Sequence, residues 1–321
     1  MSVPFKENSI FFAPMEGMTD DIYRNVITTL YPEWDYVSTD FLRIPTVGNY
    51  PDSHIIKHYG NEVYSTPKTR KKTIYQILTS SNAYTEHHIQ RIQALGFEWL
   101  DINLGCPSKT VCKNMGGSYL LSDLPELKSI IDTIRSNFKG TFTAKIRVGY
   151  KDDLNFERVL KLLEDCGVDA ITIHARTRDE LYKGVAKWQY IKEAVKIVNI
   201  PIIGNGDIWS VKDINDYYDY TNCHSVMIAR GALKTPWLAR EYKAGNQFED
   251  HEMRINEMAR YYSFFYNEIE RLSDLSEQSQ NKRLKSISRY IFDPLENAAV
   301  KKKAFLLSKT KDELFEVIKS L

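Results

Sequence analysis

Cys106 stands in DINLGCPSKTVCKNMGG (101–117), directly after an apolar run and before a proline, with Gly116 and Gly117 following. A thiol there can donate a proton, attack an electrophile, or pack as a small hydrophobe. Two later stretches, GNGDIWS (204–210) and ARGALKTPW (229–237), set glycines and backbone N–H groups before helical segments, an arrangement that binds phosphate; Arg230 adds a fixed charge. Gln76, Asn103, Lys145, Arg147, His174 and Arg176 sit at or just past the ends of other apolar runs. Any one of them could be a satisfied core or strand residue, since a buried lysine needs a partner. Together they form a polar ring beside a phosphate site. Such a ring suits a flavin mononucleotide, with amides for the ring edge, a lysine near N1/O2 and glycine turns for the phosphate.

Positioning such a ring requires parallel strands ending on one side. Eight apolar runs qualify: 9–14, 34–39, 73–78, 99–105, 141–149, 169–176, 200–206 and 224–231. Helix-period segments separate several of them, most clearly Thr85–Leu95, Leu124–Asn137, Leu154–Cys166, Lys187–Val198 and Val211–Tyr218. Continuous apolar strands joined by helices indicate βαβ units with a buried parallel sheet. Eight units over roughly 240 residues match an α/β fold of the (β/α)8 TIM-barrel type, typically about 250 residues; a doubly wound sheet is the alternative. In a barrel, chemistry collects at the C-terminal strand ends and phosphate binds after strands seven and eight. The aromatic, partly basic stretch 43–72 reads as an elaborated loop or inserted hairpin.

From about residue 245 the alternation gives way to helical periodicity. The division is therefore a catalytic barrel, 1–243, and a C-terminal all-helical domain, 244–321. Residues 245–280 hold 3 Lys/Arg and 8 Asp/Glu (net −5), whereas 281–303 hold 7 and 2 (net +5). Lys282, Arg283, Lys285 and Arg289 are candidates for phosphate contacts, although a solvated helix face reads equally well. Lys301, Lys302 and Lys303 point in successive directions around a helix, so they cannot all face one ligand. The whole chain is near neutral, with 43 Lys+Arg against 42 Asp+Glu, so any nucleic-acid surface must come from local clustering. The four cysteines, 106, 112, 166 and 223, form no CxxC pair. No metal site or disulfide framework is expected, Cys166 and Cys223 read as packing residues, and reduced thiols fit a cytoplasmic protein. No apolar run is long enough to span a bilayer, so no membrane partner is expected.

APMEGMTD (13–20), DINLGCPS, KIRVG (145–149), HARTR (174–178), GNGDI and MIARGAL (227–233) resemble the signature blocks of tRNA-dihydrouridine synthases. They run in order from residue 13 to about 240, with a helical tail in the expected place. CPSKTV and GDIW are most similar to the bacterial C-type branch, which acts at uridine 16. The resemblance implies FMN-dependent reduction of the uracil C5–C6 bond in the tRNA D-loop. NADPH would re-reduce the flavin, flavin N5 would deliver hydride to C6, and Cys106 would protonate C5. The implied flavin contacts are Pro14, Met15, Gln76, Lys145, His174, Asn205, Gly206, Asp207, Ala229, Arg230 and Gly231. Asn103, Arg147, Arg176 and Tyr182 would face the substrate; Cys112 has no implied role. A monomer is expected. Relatives commonly carry a glycine-richer loop followed by Ala where this chain has Met115 and Ser118, which bears on loop mobility. Two other readings stand beside this one: a flavin barrel acting on a free pyrimidine, which the basic tail disfavours, and a non-catalytic RNA-binding barrel, which Cys106 and Lys145 disfavour.

Overall fold

Alternation within each apolar run sorts its side chains onto two sides of one sheet. In strand β1 (Ile10–Phe12), Ile10 and Phe12 join the large cluster under the surrounding helices, whereas Phe11 joins a small inner cluster with Ile74, Trp99, Ala170, Ile203 and Met227. The structure, a computed structural model, describes residues 5–245 and 251–321. The other strands are β2 (Tyr36–Ser38), β3 (Leu42–Arg43), β4 (Thr73–Leu78), β5 (Trp99–Leu104), β6 (Thr141–Arg147), β7 (Ala170–His174), β8 (Ile202–Asn205) and β9 (Ser225–Ile228). All pairings are parallel. Pairing of β2 with β4 and of β1 with β9 closes an eight-stranded ring, which makes the fold a (β/α)8 barrel and excludes the open doubly wound sheet.

Each of the eight expected apolar runs contains one barrel strand. The ninth, β3, takes over from β2 beside the end of β4, pairing Leu42 with Ile77 and Arg43 with Leu78. The stretch 43–72 forms no hairpin. Beyond β3 it folds into short helices Asp52–Tyr59, Asn61–Ser65 and Pro67–Arg70, two of them started by Pro51 and Pro67. A helix not expected from periodicity, Asp21–Leu30, follows β1; Asp20 caps it by accepting from the Tyr23 amide at 2.9 Å.

Phe5, Phe11, Tyr36 and Trp99 plug the N-terminal end of the barrel, with Phe5 stacked on Trp99 at 5.5 Å. Chemistry is thereby confined to the opposite end. The tail helices are His251–Leu272, Glu277–Ile287, Ala298–Leu307 and Lys311–Lys319. The first packs on Asp21–Leu30, with Phe265 against Tyr23 at 5.6 Å and Asn25 donating to Glu268 at 2.6 Å. Met258, Phe265 and Leu284 belong to the same apolar cluster as the barrel's outer strand faces. The 243/244 boundary expected from sequence falls in the last turn of helix Leu238–Ala244, closed by Gly245 at φ +69°. Residues 246–250, near the start of the expected tail, and the first four N-terminal residues lie outside the described ones.

Candidate active site

The C-terminal ends of the strands open into a cavity of about 490 Å³. Beneath it runs a directional hydrogen-bond chain. Trp99 Nε1 donates to Thr143 Oγ1 (3.1 Å), Thr143 to Asp101 Oδ1 (2.7 Å), and Gln76 Nε2 to Asp101 Oδ2 (2.7 Å). Asn103 Nδ2 donates to Gln76 Oε1 (2.8 Å), and Asn103 Oδ1 accepts from the amides of Gly105 (3.1 Å) and Cys106 (2.8 Å). The polarity has one solution: a carboxylate only accepts, so Gln76 must present its NH₂ downward and its oxygen upward, and Asn103 must do the same. Burial raises the Asp101 carboxyl to about 6.

The chain ends on the loop that carries Cys106. The Cys106 carbonyl accepts from Ser118 Oγ at 2.9 Å and from the Ser118 amide at 3.4 Å, with Cys112 Sγ at 3.7 Å. Ser118 and Cys112 therefore tie the loop down, and Met115, at φ +56°, makes the turn between them. The Cys106 thiol is buried among Leu78, Val111 and Phe41. Burial pushes its pKa up, and Glu16 adds to this against the pull of the Ser108 backbone and Arg43, so the thiol keeps its proton at neutral pH.

Across the cavity, His174 Nδ1 lies 2.8 Å from Asn205 Oδ1, while Asn205 Nδ2 donates to the Met227 carbonyl at 2.7 Å. With the Asn205 oxygen thus facing the ring, Nδ1 carries the hydrogen and Nε2 is an acceptor. Nε2 is buried and has no hydrogen-bond partner among the described residues. Burial, then the charges of Arg147 and Lys145, drives the imidazole far below its ordinary pKa, so it is neutral. Burial, then Arg147, lowers the Lys145 ammonium to about 8. Lys145 also lines the cavity and makes no hydrogen bond or ion pair among the described residues.

Two glycine turns form the far wall. Gly206 has φ +128°, and a Cβ there would lie 2.9 Å from Ala186 Cβ; a Cβ on Gly231 would overlap the Ile208 carbonyl. Among the described residues, the amides of Gly206, Asp207, Arg230 and Gly231 donate to no backbone acceptor. Asp207 accepts from Arg230 (2.9 Å), Arg176 (2.5 and 3.1 Å) and the Ala186 amide (2.7 Å).

Of the residues picked out by sequence, Pro14, Met15, Gln76, Asn103, Cys106, Lys145, Arg147, His174, Tyr182, Asn205, Gly206, Asp207, Ala229, Arg230 and Gly231 line this one cavity. Arg176 does not. It is buried behind the wall and bonds to Asp207 and to the carbonyls of Lys183 and Gly184. Asp207 has both oxygens committed, so it sets the position of Arg230 instead of meeting a ligand with its carboxylate. Arg147 commits Nε and Nη1 to the carbonyls of Gly105, Thr177 and Leu181, each at 2.9 Å.

In the tail, Arg283 is bound to Asp20 (2.7 Å) and the Met18 carbonyl (2.8 Å), and Lys285 to the Ser308 carbonyl. Neither is free for phosphate. Lys282 and Lys303 are exposed, Lys301 donates to Leu321 O at 3.0 Å, and Lys302 bonds the Arg289 carbonyl. Arg289 itself lines the cavity, with Tyr290. Lining residues not picked out from sequence include Glu16, Phe41, Trp209 and Tyr290. Glu16 and Trp209 lay within quoted motifs; Phe41 and Tyr290 had no local signal. Among the described residues no helix is long and apolar enough to cross a membrane, and no group of three or more His, Cys, Asp or Glu gathers to hold a metal.

Among solved structures, the barrel is similar to 6-hydroxypseudooxynicotine amine oxidase from Pseudomonas geniculata N1. The TM-score is 0.56 at 12% identity, over 76% of this chain and 48% of that one, so the chain spans about half the length of that protein and the likeness concerns fold alone. By sequence, the chain is 32% identical to the tRNA-dihydrouridine(16) synthase of Pseudomonas syringae pv. tomato over 245 residues, covering 75% of this chain and 76% of that one. It is 34% identical to tRNA-dihydrouridine synthase B of Pasteurella multocida, covering 73% and 68%. The family model of dihydrouridine synthases matches residues 11–319, nearly the whole barrel and tail. The chain belongs to the dihydrouridine synthase family of enzymes.

Proposed function

We propose that this enzyme reduces a uridine in the D-loop of tRNA to 5,6-dihydrouridine, at position 16, with FMN as the bound cofactor and NADPH as its reductant. In this reading residues 1–243 carry the reaction, residues 244–321 face the RNA, and the enzyme works in the cytoplasm. The residues present suit a flavin nucleotide. Among the described residues the buried His174 Nε2 has no hydrogen-bond partner, Lys145 makes no hydrogen bond or ion pair, and two glycine turns offer amides beside Arg230. Gln76, Lys145, His174 and Asn205 would hold the ring, and Gly206, Ala229, Arg230 and Gly231 the phosphate. The chemistry supplied by the bound, reduced flavin is hydride for C6 of the uracil.

The protein's own part is to bind, orient and protonate. A base inside folded RNA must leave its stack to reach a recessed cavity, and Tyr182, 57% exposed at the mouth, offers a ring against it. Cys106 Sγ holds the proton for C5. The observation carrying this reading is that a thiol kept protonated by burial sits on a loop braced by Asn103 and Ser118, inside the same cavity as the neutral His174 and the glycine turns. A neutral acid can protonate a carbon bearing enolate character without leaving a permanent charge in the site. The nearby Lys145 ammonium favours the developing negative charge.

The test is the Cys106→Ala protein. It should stay yellow with bound flavin and form only trace dihydrouridine in tRNA. Wild-type yield would overturn the proton-donor role. A colourless wild-type protein that binds tRNA and takes up no added FMN would overturn the enzymatic reading. Mapping dihydrouridine in tRNA from a deletion strain against a complemented one tests position 16.

A further inference from the structure

Arg289 and Tyr290 reach the cavity from the tail, in the segment between helices Glu277–Ile287 and Ala298–Leu307. The Tyr290 ring meets Trp209 edge-on at 6.3 Å, and Arg230 lies 4.9 Å over Trp209 and 4.9 Å over Tyr182. Arg289 lies 5.4 Å over Tyr290. Arg289, Tyr290, Trp209, Arg230 and Tyr182 thus form one run of guanidinium groups and aromatic rings along the cavity wall. Arg230 and Arg176 share the single carboxylate of Asp207, which leaves that cluster with one net positive charge. A phosphate monoester carries about −1.5 to −2 at neutral pH, more than this cluster balances. Arg289 is exposed, and its side chain makes no hydrogen bond or ion pair with any described residue.

We propose that Arg289 completes, from the helical tail, a phosphate-ester site begun in the barrel by Arg230 and the Gly206 and Gly231 turns. The ester is the monoester of the flavin nucleotide, which rests on the reading above; a singly charged diester of the RNA backbone is the other outcome that the test distinguishes. The tail then takes part in retaining the cofactor as well as in meeting RNA. Trp209 and Tyr290 lie between the two guanidinium groups, and both arginines line the same cavity.

The experiment uses full-length apoprotein, Arg289→Ala and Arg289→Lys, titrated with FMN and with riboflavin by flavin fluorescence, and with tRNA at several salt concentrations. Arg289→Ala should weaken FMN roughly tenfold, the size of one exposed charge-assisted contact, and leave riboflavin unchanged; Arg289→Lys should recover most of the loss. Unchanged FMN affinity with weaker tRNA binding and a salt slope smaller by about 1 would assign the site to the RNA backbone. Equal loss for FMN and riboflavin, or no change in any ligand, overturns the proposal. Wild-type protein that binds neither flavin would remove the cofactor reading, and the tRNA arm would then decide alone. Arg289 is exposed, so its replacement should leave the melting temperature in place, which separates ligand loss from unfolding.

Discussion

Replacing Asp101 should unravel the Cys106 loop from below. Asp101 is 5% exposed and accepts two buried hydrogen bonds, from Thr143 and Gln76, each at 2.7 Å. Asp101→Ala orphans both donors; at about 1–3 kcal/mol for each buried unsatisfied group, the loss is roughly 2–6 kcal/mol. That corresponds to a melting temperature lower by roughly 4–12 °C. Asp101→Asn keeps an acceptor for Gln76 and turns its NH₂ toward Thr143 Oγ1, so it should cost only about 1 kcal/mol at neutral pH. The pH dependence has a definite sign. The Asp101 carboxyl is raised from 3.8 to about 6, so the native state holds its proton longer than the unfolded chain. That contribution is fully present below about pH 4 and is lost as pH rises through about 6. The gap between wild type and Asp101→Asn should therefore be widest in acid and narrow toward neutrality. In Asp101→Ala, Gln76 no longer has a fixed polarity, Asn103 loses its anchor, and kcat should fall roughly 10- to 100-fold, as misplaced reacting groups do. Thermal unfolding between pH 4 and 7, with single-turnover dihydrouridine formation, measures both. Equal losses for Ala and Asn, or an Ala variant melting with wild type, would refute the directional chain.

Arg283→Ala should release the tail, because it removes the 2.7 Å pair with Asp20 and the bond to the Met18 carbonyl, worth about 1–3 kcal/mol together. Faster amide exchange in His251–Leu272, with barrel strands unchanged, is the expected readout. On the alkaline side, Lys145 loses its charge near 8 while burial keeps the Cys106 thiol protonated to higher pH. The kcat/KM profile should therefore fall through about 8, and Lys145→Met should lower the plateau and abolish that limb.

The barrel was legible because strands buried on both faces read as continuous apolar runs, and each of the eight runs holds one strand. The glycine turns were legible because positive φ and close approach leave residue types that the chain spells out. Asp101 stood in the opening stretch, but a lone carboxylate in a strand names no partner, and Thr143 is 42 positions away in sequence. Arg176 follows His174 in one motif and looked equivalent to it. Two positions on, past the strand end, its side chain turns away from the cavity to Asp207. The stretch 43–72 was aromatic enough for a hairpin, yet Pro51, Gly60 and Pro67 divide it into short helices. Arg289 and Tyr290 reach the site only through tertiary docking, which no local pattern encodes, whereas Arg283 and Lys285 looked the same in sequence and are consumed by that docking.

The charge layout of the cavity separates two demands that conflict in one place. A phosphate calls for fixed cations, while a proton donor must not be ionised by them. Arg230 stands at the glycine turns with Arg176 behind it on Asp207, and Arg289 lines the same cavity from the tail. Arg147 comes nearer the thiol, but its Nε and Nη1 are spent on backbone carbonyls. At the Cys106 end, burial among Leu78, Val111 and Phe41, with Glu16 nearby, outweighs the cations and holds the thiol up. Lys145 stands between the two ends, its own charge weakened by burial toward 8. In the proposed reaction it supports transient negative charge without stripping the proton from the thiol. His174 stays neutral for the same reason, and its unpartnered Nε2 is an acceptor, not a second acid. In the proposed reaction the neutral acid is therefore the thiol, buried at its own end of the cavity away from the glycine turns.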